Sequence, residues 1–371
     1  MKTIKALAIK EFYHLSRDKK MVLLLLFFPI FLLIFFGYAV NFDVKNIKIQ
    51  IINYDRSEFS NEIIKALENS DYFTIVDYQT KNSYQELGNG KCNVIFIIPH
   101  DFSKNLAKKN NTQITAIIGA ANANNAIIIS NYLNYFITKI NYKLLEKYNI
   151  TIPNTVNINY KYNKSLETTT FLMPGLLAMI IIVTAVISVS LSFVKEKEQG
   201  TIEQIIISPI KDFQYIIAKI IPYSIICIID TIFLLITMYL IFQIKVQGSI
   251  IELFIVTIIY IISGLCFGLF ISSVSNSQQV AFLIAALSSL LPTFLLSGFV
   301  FNIESMPKFI QIFTNITPAK FYISIIRNIM IRGANFTFYF LDLIYLILFT
   351  IVILLLTLKM LKLEKNKLFD V

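Results

Sequence analysis

The feature that most constrains this chain is a set of six apolar runs, each long enough to cross a lipid bilayer as a helix. About 20 residues, rising about 1.5 Å each, span roughly 30 Å of hydrocarbon. Backbone polar groups must be satisfied internally at that depth, which favours helices. The sequence therefore predicts an α-helical polytopic membrane protein with six transmembrane helices, placed at residues 21–40, 171–194, 220–243, 250–272, 280–301 and 336–360.

Composition supports a membrane protein and excludes two other classes. Hydrophobic residues make up 56% of the 371 residues and charged residues 15%, against about 45–50% and about 25% in soluble domains. A soluble enzyme is therefore excluded, and so is an intrinsically disordered chain. The three cysteines and two histidines have neither disulfide nor metal-ligand spacing, so we expect no metal site.

The formal net charge of +10 is explained by topology without a nucleic-acid partner. Lys and Arg number six in residues 1–20, four in 195–219 and four from 359 onward. With six spans these three segments fall on one side, which predicts cytoplasmic N- and C-termini and a cytoplasmic 361–371 tail. One discordant observation is that residues 302–335, placed outside, carry four basic residues.

Residues 41–170 have an ordinary soluble composition and lie between the first two spans. Their alternating patterns predict strands over 47–53, 73–78, 94–98 and 114–119, and helices over 57–69 and 122–148. Long domains cross the membrane largely regardless of charge. We therefore predict an inserted extracytoplasmic α/β domain.

The first 20 residues have the pattern of a basic amphipathic helix that lies along the membrane interface. An apolar arc that includes Leu7 and Leu15 stands opposite a basic arc that includes Lys2 and Lys10. Glu11 falls inside the apolar arc, which indicates that a partner covers that face. The alternative is a basic flank that only directs membrane topology.

Asp230 is the most unusual single residue, because it lies in the middle of the third span. A carboxylate at that depth costs at least about 2.5 kcal/mol, so it is expected to face a partner, a cavity or a proton. A direct role in transport and a structural role both remain open. In the fourth span, Gly264 and Gly268 allow close helix packing, with a dimer interface as the alternative.

No motif for catalysis or nucleotide binding occurs. The 11 glycines include no phosphate-binding loop of the form G-x-x-x-x-G-K-[ST], and no metalloprotease or serine-hydrolase motif is found. We therefore predict no catalytic residues and no cofactor bound by this chain. An intramembrane enzyme is a further alternative, but Asp230 has no second acid or nucleophile beside it.

Residues 195–211 differ from the rest of the polar sequence. Residues 195–209 read KEKEQGTIEQIIISP, in which dense charge is followed by Gly200 and a short amphipathic stretch. Thr201 is a candidate helix cap. A solvated loop is one interpretation; the other is a short helix with an apolar face that docks against a partner.

Three stretches resemble the type-2 (ABC-2) permease family of ATP-binding cassette transporters, in the subgroup with a large extracytoplasmic domain. The N-terminal helix resembles the family's interfacial helix, residues 195–211 its ATPase-contacting coupling loop, and residues 302–335 a re-entrant or interfacial segment before the last span. NYDRSEFS from Asn53 and IIPHDFSKNL from Ile97 match as well. The residues that carry the resemblance are Lys10, Glu11, Arg17 and Asp18 in the interfacial helix, Glu196, Glu198, Gly200, Thr201, Glu203 and Pro209 in the coupling loop, and Gly298, Glu304, Met306, Pro307, Pro318 and Arg327 in the outer loop.

The resemblance implies a permease subunit of an exporter in the bacterial cytoplasmic (inner) membrane. It implies that a separate ABC ATPase hydrolyses ATP with Mg²⁺, and that the permease forms a homodimer or pairs with a similar permease. Membrane lipids surround it, and a periplasmic adaptor is a further expected partner. The expected substrate is hydrophobic or amphipathic, drug-like or lipid-like. The alternative is a non-transporting membrane subunit that relays ATPase action to an envelope partner.

Overall fold

The computed structural model describes residues 2–39, 47–70, 72–78, 83–89, 91–107, 113–119, 123–147, 168–201 and 210–369. The chain divides into two compact units. One unit contains Met1–Asn41 and Tyr160–Val371, and the other contains Phe42–Asn159. The predicted limits of the inserted domain at 41 and 170 lie in or beside residues outside those ranges, and they stay predictions.

Helices account for most of the described residues, and short 3-10 or π segments occupy Ile303–Ser305, Asn328–Arg332 and Phe336–Phe338. The described α-helices, in chain order, are α1 (Lys2–Arg17), α2 (Lys19–Ala39), α3 (Glu58–Glu68), α4 (Ser83–Gly88), α5 (Phe102–Ala107), α6 (Ala123–Lys147), α7 (Thr168–Glu198), α8 (Asp212–Phe242), α9 (Ile250–Val274), α10 (Gln278–Leu296), α11 (Lys308–Thr314), α12 (Pro318–Arg327) and α13 (Phe340–Phe369). The described strands are β1 (Ile47–Asn53), β2 (Phe73–Tyr78), β3 (Val94–Ile98) and β4 (Thr115–Ile118).

The Phe42–Asn159 unit is a small α/β domain. Its described strands form a sheet in the order β2-β1-β3-β4, in which β1 is parallel to β2 and β3, and β4 is antiparallel to β3. Ile47, Ile49 and Ile51 of β1 are fully buried, as expected for a strand with parallel neighbours. Ser57 caps α3 by accepting a hydrogen bond from the Ser60 amide. The strands and longer helices occupy the predicted places, whereas α4 and α5 were not predicted.

Six helices in the described part of the chain are long and apolar enough to cross a membrane, namely α2, α7, α8, α9, α10 and α13. Their burial is unequal: α7 is buried over most of its length, whereas α2, α8, α10 and α13 expose most of their apolar side chains. Exposed apolar side chains on a spanning helix are suited to contact with lipid. The protein is therefore a polytopic α-helical membrane protein with an inserted α/β domain, and α7 is the central helix of the membrane unit.

Several helices extend beyond the predicted spans. Helix α7 continues four residues past 194, through Glu198, so the first residues of the predicted coupling loop are helical. Lys195 and Lys197 lie in its last turn, where positive charge interacts favourably with the helix dipole. Helix α13 starts at Phe340 and runs through most of the predicted 361–371 tail. Hydropathy finds the apolar centre of such helices and not their charged ends.

Two glycines of α9 allow it to pack closely against α7. A Cβ atom at Gly268 would lie 2.5 Å from the Val186 carbonyl oxygen and 2.5 Å from Val189 Cγ1. A Cβ atom at Gly264 would lie 3.0 Å from Ile182 Cδ1. The small-residue face is thus occupied by α7 of the same chain, which supports the packing interpretation over a dimer interface.

We expect Gly268→Leu to destabilise the membrane unit, because the added side chain cannot fit against the α7 backbone. Overpacking of this kind costs about 1–3 kcal/mol or more. The midpoint of thermal unfolding in detergent should fall. Ile255→Phe is the control, since it enlarges a side chain of α9 that is 52% exposed. An unchanged midpoint for Gly268→Leu would contradict the packing described here.

Candidate functional site

The break between α1 and α2 is organised by Asp18. Its carboxylate accepts a hydrogen bond from the Met21 amide at 3.2 Å, which caps the start of α2. The same side chain forms an ion pair with Lys195 in the last turn of α7, with 2.9 Å between Nζ and Oδ2. Asp18 therefore joins the N-terminal segment to the end of the central helix. Arg17, its neighbour, is exposed.

Lys219 of α8 is fully buried and contacts two carboxylates from different parts of the chain. Its Nζ atom lies 3.2 Å from Glu11 Oε2 on α1 and 3.0 Å from Glu196 Oε2 on α7. Nζ also donates a hydrogen bond to Ser192 Oγ at 2.9 Å. The side chain of Lys219 is 0% exposed. A buried ammonium needs such partners, because loss of hydration is otherwise uncompensated.

Two further side chains complete the arrangement around Glu196. Lys10 donates to Glu196 Oε1 at 2.9 Å, and the Tyr215 hydroxyl donates to Oε2 at 2.7 Å. We refer to Lys10, Glu11, Glu196 and Lys219 as the charge cluster. It contains two positive and two negative side chains, so it is neutral when all four are ionised. It connects α1, α7 and α8 at one end of the membrane unit.

Glu11 occupies the apolar arc of α1 because it faces Lys219. The partner predicted to cover this face is thus α8 of the same chain, at least around Glu11. Burial raises the pKa of the Glu11 carboxyl above its ordinary value, an effect that Lys219 opposes and the neighbouring Glu196 carboxylate reinforces. The Glu11 carboxyl consequently stays protonated up to a higher pH than the carboxyl of an exposed glutamate.

Glu198 connects the end of α7 to the start of α10. Its Oε1 atom accepts a hydrogen bond from the Gln278 amide at 2.8 Å, and its Oε2 atom accepts one from the Gln278 side chain. Gln278 is the first residue of α10, where amide hydrogens lack helical partners and negative charge is favourable. Glu196 and Glu198, two residues apart in the last turn of α7, therefore bind different helices.

Helix α7 is followed, two residues after its last residue, by a glycine in the left-handed conformation. Gly200 has φ +68°, a conformation that glycine adopts without strain. The Thr201 hydroxyl donates a hydrogen bond to the Glu196 carbonyl at 3.0 Å. Thr201 therefore provides a hydrogen-bond donor for a backbone carbonyl in the last turn of α7. Its role as the cap of a following helix stays a prediction. The predicted coupling residues Glu203 and Pro209 lie outside the described residues.

At the other end of α7, Arg327 connects three elements. Its guanidinium donates to the carbonyl oxygens of Gly298 at 2.9 Å and Phe299 at 3.2 Å. The guanidinium carbon lies 3.8 Å from the centre of the Phe171 ring near the start of α7. Gly298 has φ +78°, which allows the chain to turn after α10. Two of the predicted outer-loop residues, Gly298 and Arg327, are therefore in direct contact.

The remaining predicted outer-loop residues shape the backbone of the 302–335 segment. Gln311 of α11 donates to the carbonyl oxygens of Glu304 at 3.4 Å and Met306 at 2.9 Å. Pro307 directly precedes α11, and Pro318 is the first residue of α12. The amide hydrogen that proline lacks would have no acceptor within the helix at that position. Short helices thus occupy this segment, and these side chains are not gathered into one site.

Asp230 is buried in α8, with 2% of its surface exposed. Its Oδ1 atom has no hydrogen-bond partner among the residues that the structure describes. The neighbouring Thr231 hydroxyl is satisfied within the helix, since it donates to the Cys227 carbonyl at 2.8 Å. Unlike the neighbouring Thr231 hydroxyl, the Asp230 carboxyl therefore has an oxygen without a hydrogen-bond partner among the described residues. Asp230 does not belong to the charge cluster.

Lys219 is the main functional candidate that sequence reasoning missed. The charge pattern identifies it only as one of four basic residues between 195 and 219 that indicate membrane topology. A signal was present: Tyr215, Lys219 and Tyr223 recur at four-residue spacing and share one helix face, and all three are buried. A buried lysine on that face predicts an acidic partner, and Glu11, the acid within the apolar arc of α1, is a candidate for it.

Comparison with known proteins identifies the family. A family model described as ABC-2 family transporter protein matches residues 19–359. The chain belongs to the ABC-2 transporter family. The permease is 30% identical over 330 residues to the Probable multidrug ABC transporter permease YbhR of Escherichia coli (strain K12), with 88% of this chain and 89% of the relative covered.

Two further relatives agree with this assignment. The Probable multidrug ABC transporter permease YbhS of the same organism is 27% identical over 337 residues, covering 89% of each chain. ABC transporter G family member 20 of Dictyostelium discoideum is 25% identical over 344 residues, and there the match covers 89% of the permease and 46% of the relative. The protein is thus a transporter permease, and the predicted membership of the ABC-2 family is confirmed.

We expect Lys219→Met to destabilise the permease strongly, because Glu11 and Glu196 would keep only Lys10 as a counter-charge. Removing one partner of a buried pair costs about 3–5 kcal/mol. The midpoint of thermal unfolding in detergent should fall, and adding Glu11→Gln should restore part of the loss. Lys245→Met is the matched control, since Lys245 is exposed. Equal midpoints for the two single variants would contradict the role of the charge cluster.

Proposed function

We propose that this permease is the membrane subunit of an ATP-driven exporter for hydrophobic or amphipathic molecules. A separate ABC ATPase, which binds ATP and Mg²⁺, would supply the energy. Two relatives bear the name multidrug ABC transporter permease, which supports this substrate class. The observation that carries the proposal is that Glu196, in the stretch that resembles a coupling loop, shares Lys219 with Glu11.

The contacts around Glu196 suggest how ATPase movement would reach the membrane helices. Residues 202–209 would form the coupling helix and dock in the ATPase. A displacement of this helix acts directly on the end of α7, where Glu196 contacts α1 and α8 and Glu198 contacts α10. Because α7 is central and well packed, its movement would be transmitted to the surrounding helices rather than absorbed locally.

We place the charge cluster at the cytoplasmic face of the bacterial inner membrane. The positive-inside distribution supports cytoplasmic N- and C-termini, and the inserted α/β domain and the 302–335 segment would then lie outside. A homodimer, or a pair with a similar permease, would provide twelve spans around a transport path. The outer domain would be available to a periplasmic adaptor.

We expect Glu203→Arg to weaken ATPase binding or to uncouple ATP hydrolysis from transport. The change places positive charge in the first turn of the proposed coupling helix and reverses charge at the proposed interface. Co-purification with the ATPase, or substrate-stimulated hydrolysis in proteoliposomes, should fall by more than about tenfold. Substrate movement into or out of the vesicles is measured in parallel.

Glu304→Arg provides the matched control, because it makes the same charge change in the 302–335 segment, on the proposed outer side. Membrane insertion should be unaffected in both variants. A Glu203→Arg complex that behaves like wild type would contradict the coupling role. Wild-type hydrolysis that is coupled to the permease but moves no substrate would instead favour a subunit that relays force to an envelope partner.

We further propose that Asp230 faces the transport path. The proposal is based on its burial in a spanning helix and on an Oδ1 atom without a partner among the described residues. A carboxylate at membrane depth with an unsatisfied oxygen can receive a polar group from a substrate or a proton. A purely structural aspartate would be expected to have both oxygens bonded.

Asp230→Asn should therefore lower transport while leaving the folded complex intact. The measurement is the initial transport rate in proteoliposomes at several pH values, normalised to the amount of permease–ATPase complex. Thr231→Val is the matched control, since it removes a neighbouring polar group that is satisfied within α8. Equal rates for Asp230→Asn and wild type at every pH would exclude the proposed role.

A further inference from the structure

A cavity of about 390 Å³ lies between α1 and α8. Ala8 and Phe12 of α1 face Ile221, Pro222 and Ile225 of α8 across it, and we name this cavity the α1–α8 groove. Its volume is within the range of about 300–1,000 Å³ typical of small-molecule sites. The lining is almost entirely apolar. A groove of this composition favours a hydrocarbon ligand over a polar one.

The groove continues into the exposed apolar face of α8. Ile221 and Ile225 line the groove and are 38% and 41% exposed. Farther along α8, Ile229, Ile232 and Ile236 are also exposed, at the three- and four-residue spacing of one helix face. Exposed isoleucines on a spanning helix face hydrocarbon. A lipid chain lying along α8 could therefore enter the groove without leaving an apolar environment.

Positive charge lies at the edge of the same groove. Lys5 is the charged residue of its lining and is exposed. Within the described residues Lys5 forms no ion pair, whereas Lys10, one and a half turns farther along α1, is engaged by Glu196. The acid of α1, Glu11, is buried in the charge cluster and does not neutralise Lys5. An anionic group bound beside Lys5 would thus meet an available ammonium.

We propose that the α1–α8 groove binds one acyl chain of an anionic phospholipid, with the lipid phosphate beside Lys5. The apolar lining suits the chain, the continuous α8 face provides its route, and Lys5 provides the charge that selects the headgroup. A bound lipid would hold α1 against α8 close to Glu11 and Lys219. The bound lipid would thereby stabilise the contact between α1 and α8 that the charge cluster also stabilises.

The sequence provides a direct test, because the chain contains no tryptophan. In full-length permease reconstituted into vesicles, Phe12→Trp places a single tryptophan in the groove. Its fluorescence is measured with brominated phosphatidylglycerol in unlabelled phosphatidylcholine, and with brominated phosphatidylcholine in unlabelled phosphatidylglycerol, at the same bromine content. Contact with bromine quenches the emission, so the ratio of the two signals reports which lipid occupies the groove.

The anionic lipid should quench about fivefold more effectively than the zwitterionic one, the preference expected from one lysine near a membrane surface. Leu287→Trp, at an exposed position of α10, is the reference for bulk lipid and should show a ratio near one. Adding Lys5→Gln to Phe12→Trp should remove the preference, whereas adding Lys308→Gln, the same change on α11, should preserve it.

Steric filling separates groove binding from general charge attraction. Ala8→Phe should reduce quenching of the groove tryptophan by both lipids, because Ala8 lines the cavity. Ala6→Phe is the control on the exposed face of α1 and should have no effect. Equal quenching by the two lipids in Phe12→Trp would overturn the proposal. So would weak quenching by both, since this would mean that protein and not lipid occupies the groove.

Discussion

A lysine with no exposed side-chain surface in a membrane helix requires counter-charges, and Lys219 imposes that requirement on the rest of the permease. Its two carboxylates come from α1 and α7, which are separated by the whole inserted domain in sequence. The N-terminal helix must therefore lie against α8, and α7 must end where Glu196 reaches the same ammonium. Loss of Lys219 would leave Glu11 and Glu196 buried with only Lys10 as a counter-charge, which is why the three helices form one unit.

Helix α7 connects the two polar sites of the membrane unit. At one end Glu196 and Glu198 contact α1, α8 and α10, and at the other Phe171 stacks against Arg327. Between these ends the helix is buried and packed against the glycine face of α9. A central helix that is tightly packed along its length moves with its neighbours or not at all. That property suits the proposed role of α7, in which a displacement at its coupling-loop end would be transmitted to the other membrane helices.

Much of the fold could be predicted from the sequence, because it depends on local patterns. The six spans follow from hydropathy, and the strands of the inserted domain follow from alternation. The charge cluster could not be predicted in this way, since hydropathy evaluates each charge alone and does not say which segments meet. Arg327 was identified only through resemblance: its partners are the backbone carbonyls of Gly298 and Phe299, which leave no side-chain pattern in the sequence.

The order of the charge cluster along the chain has a consequence for biogenesis. Glu11 and Glu196 both precede Lys219 in the sequence. When α8 leaves the ribosome, the two acids that will neutralise its buried lysine have already been synthesised. The ammonium can thus enter its low-dielectric site together with its counter-ions and need not wait for a later segment. In this sense the earlier synthesis of α1 and α7 favours the stable insertion of α8.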